Sequence, residues 1–141
     1  MESPITFGHG RVSTSKQGLS REAQTETVQR AAVFYSGPDA VSAISSEMFF
    51  DDDTSGSIPF AERPAGRQLL DRVRQALADG ESSTIIVTKV DRLGRDTVDV
   101  SQTVTLFETL GARVLFLDIN VDTRTAMGRA FMQIAAVLRQ I

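Results

Sequence analysis

Residues 84–90 read Thr-Ile-Ile-Val-Thr-Lys-Val, and this stretch with its flanks decides the fold. The Ile-Ile-Val centre is a continuous apolar run of β-branched residues, the pattern of a strand covered on both faces. Upstream, Pro64 suits the first turn of a helix, Leu69, Leu70, Val73, Ala76 and Leu77 form its buried stripe, and Gly80 ends it. Downstream, Asp96 or Thr97 caps a second helix with Val100, Val104, Phe107 and Leu110 on one face, and Gly111 closes it. A buried strand between two amphipathic helices is the repeating unit of an α/β sheet.

The alternation continues in both directions. Ile5 to Val12 is apolar and small and suits a first strand; Ser20 is an N-cap, with Glu22 in the first turn of a helix carrying Ala23, Val28, Ala31, Ala32 and Tyr35 as far as Gly37-Pro38. Ile44 to Phe50 reads as a second strand, Asp51 to Ala61 as a polar loop, Arg113 to Leu117 as a fourth strand and Asp118 to Thr125 as a loop. Three helices each stop at a glycine, at 37, 80 and 111, where a left-handed residue is wanted. The expected fold is α/β: three layers, a mostly parallel sheet with helices on both faces. In such sheets ligands bind outside the carboxyl ends of the strands.

A last helix starts at Ala126 and runs to the end of the chain. Met127, Phe131, Ile134, Leu138 and Ile141 recur at three- or four-residue steps, widened by Ala130, Ala135 and Val137. Two readings stand: a core helix with a frayed end, or a truncated interface helix that continues in a longer protein. The expected organisation is a core over residues 1–125 and the start of that helix over 126–141.

Composition removes several function classes. The 141 residues fit one domain with one core. There is no internal repeat or low-complexity segment, and no apolar run approaches the roughly 18 residues that span a bilayer. The N-terminal Met-Glu-Ser-Pro does not open a secretory signal, so a cytoplasmic protein without membrane contact is expected. The absence of cysteine excludes disulfides, thiolate zinc sites and cysteine nucleophiles, and a single histidine, His9, excludes a multi-histidine metal site. The net charge of -3 and the pI of about 5.1 differ from the strongly basic character of domains that grip DNA by bulk electrostatics.

Candidate chemistry gathers at the strand ends. The first strand leads through Gly8-His9-Gly10-Arg11-Val12 to Ser13-Thr14. Alternate residues of a strand share a face, which puts His9, Arg11 and Ser13 together, a hydroxyl beside a guanidinium that can fork onto phosphate oxygens. Taken alone, Ser-Thr at a strand end is turn chemistry. After the buried strand comes Lys89-Val90-Asp91-Arg92-Leu93-Gly94-Arg95-Asp96, whose two arginines can converge on one anion while Asp91 holds a guanidinium. Alone, it reads equally as a solvated charged loop. A third segment, Asp52-Asp53-Thr54-Ser55-Gly56 with Arg63 before Pro64, reads by itself as an acidic turn and a helix start.

Together and in this order, the segments resemble the catalytic domain of the serine recombinases, the resolvase/invertase family. Gly8 to Thr14 resembles the family's Tyr-x-Arg-Val-Ser-Thr; residues 89–95 are similar to Lys-Leu-Asp-Arg-Leu-Gly-Arg; Asp122-Thr123 followed by Met127-Gly128-Arg129 resembles the Asp-Thr…Met-Gly entry to the long dimer helix; and Asp52…Ser55-Gly56 with Arg63 keeps the family's order. The resemblance implies that Ser13 is the nucleophile, that Arg11, Arg92 and Arg95 bind the scissile phosphate with Arg63 joining them, and that Asp91 orients arginines or handles the leaving-group proton. Gln17 and Gln24 fall where the family has active-site glutamines, Asp52 matches a supporting acidic position, and Lys89 is a supporting or DNA-binding cation. His9 departs from the family's tyrosine. It either fills that ring's space or, neutral, accepts a proton near the site and adds pH dependence.

A serine hydroxyl needs activation, and with one histidine no histidine–carboxylate triad can be written. Phosphoryl transfer rewards positioning and charge stabilisation, which clustered guanidinium groups supply, so no cofactor or metal is expected. The product implied by the resemblance is a phosphoserine–DNA bond and a free DNA hydroxyl, which conserves bond energy for religation. Also implied are a double-stranded DNA recombination site as substrate, a homodimer that becomes a tetramer in the synaptic complex, and a separate C-terminal region, absent here, that supplies most DNA affinity. The expectation for the isolated 141 residues is weak DNA binding. The alternative is an inactive dimerisation or regulatory module of the same fold; retention of Ser13, Arg11, Arg92 and Arg95 argues against it. A general nucleotide binder lacks support because the chain has no glycine-rich phosphate loop.

Overall fold

The computed structural model describes residues 5–12, 20–36, 48–52, 58–94 and 96–139. It contains strands β1 (Ile5–Val12), β2 (Met48–Asp52), β3 (Ser83–Val87), β4 (Ala112–Phe116) and β5 (Val121–Asp122). Its helices are α1 (Arg21–Ser36), α2 (Pro64–Ala78), α3 (Thr97–Thr109) and α4 (Ala126–Arg139). The strands form one sheet in the order β2-β1-β3-β4-β5. The first four are mutually parallel and β5 runs antiparallel to β4. Parallel strands bring their carboxyl ends to one edge, the expected location of a site.

Alternation along β1 sends Phe7 and His9 to one face and Gly8 and Gly10 to the other. On the first face Phe7, Ile85, Val87, Val114 and Phe116 pack with Leu69, Leu70 and Val73 of α2 and Val100, Val104 and Phe107 of α3. On the second, Ile86 and Leu115 meet Val28 and Ala32 of α1. β3 is buried at all five positions, as its unbroken apolar centre requires when both faces are covered. This is the expected three-layer α/β fold.

Local signals account for most boundaries. The Ser20 hydroxyl accepts the Ala23 N–H and begins α1, Pro64 occupies the first turn of α2, and the Asp96 carboxylate accepts the Asp99 N–H and caps α3. Gly80 and Gly111 stop α2 and α3 at φ of 81° and 77°, a region closed to most side chains. Gly37 lies outside the described residues.

Four expectations change. β2 continues past Phe50 into Asp51 and Asp52, because Arg11 and Val12 of β1 supply partners for both; residues 44–47 of the expected strand lie outside the described residues. β3 stops at Val87, and Val90–Leu93 folds into a 3-10 turn, tied by the Val90 N–H to the Asp118 carboxylate. Within the loop expected at 118–125 lies the two-residue β5, held by the Thr123 N–H on the Val114 carbonyl and the Val114 N–H on the Thr123 hydroxyl. Leu77, expected in the buried stripe of α2, is 46% exposed on its margin. α4 packs on α3 and β5, while Met127, Phe131 and Ile134 of its apolar stripe are exposed. No described helix is long and apolar enough to cross a membrane.

Candidate active site

At the carboxyl edge, β1 outruns its neighbour β3. Pairing with β3 ends at His9–Val87, whereas pairing with β2 continues to Val12–Asp52. The Gln24 side chain of α1 takes up both main-chain groups of Arg11: its amide N–H donates to the Arg11 carbonyl at 2.7 Å, and its oxygen accepts the Arg11 N–H at 2.8 Å. Gln24 is only 4% exposed, and both ends of its amide are bonded to the Arg11 main chain. Gly10 makes room for it, since a Cβ there would overlap the Gln24 oxygen and the Phe50 ring. On the same side the Arg21 guanidinium lies 5.2 Å over the Phe50 ring, a cation at this edge that sequence reading did not single out.

On the other face a buried charge network joins β1, β2, α2 and the 90–93 turn. His9 has no solvent exposure. Its Nε2 lies 2.8 Å from Asp51 Oδ2, in the donor role that an acceptor-only carboxylate requires, and its ring packs edge-to-face on Phe60 with centroids 5.3 Å apart. Arg63 Nη1 donates to the same Asp51 oxygen at 3.1 Å and to the Arg92 carbonyl at 2.7 Å, and Arg63 Nε donates to the Ile58 carbonyl at 2.9 Å. Burial works to raise the Asp51 carboxyl, but the His9 and Arg63 hydrogen bonds and charges outweigh it and hold Asp51 below the ordinary aspartate range. Asp51 Oδ1, His9 Nδ1 and Arg63 Nη2 are buried without hydrogen-bond partners among the described residues.

The sequence-derived candidates fall into three groups. His9 and Arg63 are drawn together on Asp51, Arg63 also binds the Arg92 main chain, and Arg11 lies beside Asp51 in register. Asp52 is exposed at the end of β2, and Lys89 is exposed with its carbonyl accepting the Arg92 N–H. Ser13, Gln17 and Arg95 lie outside the described residues, as does the Asp91 side chain, although the Asp91 backbone belongs to the 90–93 turn. Arg63, expected on the phosphate, is 3% exposed, with its Nε and Nη1 committed within the protein. The Asp51 carboxylate was missed. Had β2 been carried two residues further, period-two alternation would have set Asp51 on the face of His9 and Arg11.

The Asp-Thr…Met-Gly segment shapes the entry to α4. Asp122 accepts Arg113 Nε and Nη2, the shortest contact being 2.6 Å, and the Arg124 N–H at 3.0 Å. Its carbonyl accepts both the N–H and the hydroxyl of Thr125, and the Thr125 hydroxyl in turn accepts the Gly128 N–H. Burial of Asp122 is again outweighed, here by Arg113 and the Arg124 main chain, and its carboxyl is lowered.

Residues 6–141 match the family model for the resolvase N-terminal domain. The chain is 33% identical over 134 residues to the transposon Tn3 resolvase of Escherichia coli, covering 95% of this chain and 61% of that one. It is 29% identical over 136 residues to the DNA-invertase hin of Salmonella typhimurium, covering 96% of this chain and 60% of that one. It thus spans about three-fifths of the length of these curated relatives. Among solved structures, the N-terminal catalytic domain of TP901-1 integrase superposes with a TM-score of 0.71 at 26% identity, covering 96% of this chain and 94% of that one.

Proposed function

Because the chain belongs to the family of the resolvase N-terminal domain, we propose that it is the catalytic portion of a serine site-specific DNA recombinase. Its substrate is a double-stranded recombination site. The Ser13 oxygen attacks the scissile phosphorus, a phosphoserine bond forms, and the phosphorus–oxygen bond to the leaving sugar breaks. The serine proton passes to water as the clustered guanidinium groups favour the alkoxide, and the departing sugar oxygen takes up a proton from water or from Asp91, which otherwise orients the arginines. Arg11, Arg92 and Arg95 hold the phosphate and stabilise the charge that builds on its oxygens. Religation is the reverse attack by a DNA hydroxyl.

The observation that carries this reading is the convergence at the carboxyl edge. The strand that runs into Ser13 is fixed at Arg11 by Gln24, and the Arg92 turn is fixed by Arg63. Residues 1–125 make up the catalytic core. α4 begins the interface helix: Met127, Phe131 and Ile134 offer an apolar strip to a second copy, in a homodimer that doubles to a tetramer at synapsis. With a net charge of -3, the core draws most of its DNA affinity from a further C-terminal region.

The test mixes the native-length protein with its recombination site carrying a nick near the crossover, which traps the cleaved intermediate. A protein–DNA adduct on a denaturing gel, mapped to Ser13 by mass spectrometry and lost in Ser13→Ala, is expected. Protein that binds the site and forms no adduct refutes the catalytic reading.

A further inference from the structure

We infer that His9 and Asp51 are positioning residues for the phosphate-binding turn: their buried pair aims the Arg63 guanidinium, and Arg63 fixes the main chain of Arg92. The inference rests on the functional reading above and assigns the site a supporting layer on the core side of the sheet.

Four segments of the chain meet at this point. His9 comes from β1, Asp51 from β2, Arg63 from the residue before α2, and the Arg92 carbonyl from the 90–93 turn. Arg63 is directed inward: it is 3% exposed and spends Nε and Nη1 on Ile58, Asp51 and Arg92. What it controls is the path of the turn from which the Arg92 side chain departs. Elsewhere that turn is tethered by Asp118 on the Val90 N–H and by the fully buried Leu93. The Arg63 contact is a further tether, supplied by the residue before α2.

Asp51 holds the guanidinium by a charge-assisted bond, stiffer than a neutral one. His9 occupies the same carboxylate oxygen and restricts its rotation. Phe60 completes the arrangement: its ring meets His9 edge-on, Arg63 Cζ lies 5.8 Å from the ring centroid, and its carbonyl accepts the Arg63 N–H. A ring that only filled space would need no N–H directed at Asp51.

The test measures the single-turnover rate of Ser13–DNA adduct formation and, separately, the affinity for the nicked site, in the native-length protein. Asp51→Asn and His9→Leu should slow the adduct step by about tenfold to a hundredfold, the scale of a small misplacement of a reacting group, while affinity stays within about twofold. His9→Gln carries an amide N–H at similar reach to the imidazole Nε2 and should recover most of the loss. Thermal unfolding shows each variant folded at the assay temperature; if Asp51→Asn does not fold, the two His9 variants decide. Rates within about twofold of wild type, a His9→Gln rate as low as that of His9→Leu, or affinity and rate falling together would each overturn the inference. A wild-type protein that forms no adduct removes the functional reading and this inference with it, a result distinct from an active wild type with unaffected variants.

Discussion

Replacing Asp51 by asparagine keeps the shape of the side chain and removes its charge. The partner left behind is a guanidinium that is 3% exposed. Breaking a buried pair from one side costs about 3–5 kcal/mol. The asparagine oxygen can still accept from Arg63, which puts Asp51→Asn at the lower end, about 3 kcal/mol. For a domain of this size, that lowers Tm by roughly 10 °C. Arg63→Met should cost about as much, since it leaves Asp51 to His9 alone. The double variant removes both charges, so its loss should fall short of the sum by about 2 kcal/mol or more. Urea unfolding at pH 7, analysed as a double-mutant cycle, measures this coupling. Additivity within about 0.5 kcal/mol, or a cost for Asp51→Asn below about 1 kcal/mol, would mean that the pair is not the electrostatic unit its geometry describes.

Two further predictions concern other parts of the fold. Asp51 and Asp122 both have folded-state carboxyl groups lowered from 3.8. At low pH the unfolded chain therefore binds more protons than the folded one, so their contribution is present above about pH 4 and is lost as pH falls through the lowered values; urea midpoints between pH 6 and pH 2 should decline most below about 4, and a flat profile would contradict this. At Gly128, an added Cβ would overlap the Asp122 carbonyl, so Gly128→Ala should destabilise by about 1–3 kcal/mol despite alanine's better helix propensity, and a stabilised variant in thermal unfolding would show that the start of α4 shifts freely.

Much of the fold could be read from patterns that depend on near neighbours in sequence. Periodicity located the core-facing residues of α2 and α3, and Ser20, Pro64 and Gly111 marked ends because caps act within a few residues. β5 escaped because two residues are too few to alternate, and what creates it is the pairing of Thr123 with Val114. Asp51 escaped because successive aspartates read as loop, whereas the partner that draws Asp51 into the sheet is Arg11, 40 positions away by numbering. Motif order placed Arg63 in the site. Only the fold shows that its guanidinium turns inward to Asp51 and Arg92, because the direction of a long side chain depends on elements that meet in space. Gln24 was placed among the site glutamines by motif order; its two bonds to the Arg11 main chain could not be read from the sequence.

Those two bonds have an entropic consequence. A strand that extends beyond its neighbour is a cantilever, and an unsupported tip frays. Ordering one backbone residue costs about 1–2 kcal/mol, which, under the function proposed above, a catalytic group on a loose tip would have to meet at each encounter with substrate. The Gln24 amide, a side chain standing in for a missing strand, moves that cost from the reaction to folding. Val12 is thereby anchored on one side by Asp52 and, through its neighbour Arg11, on the other by Gln24, and from that clamped beam the chain passes into Ser13.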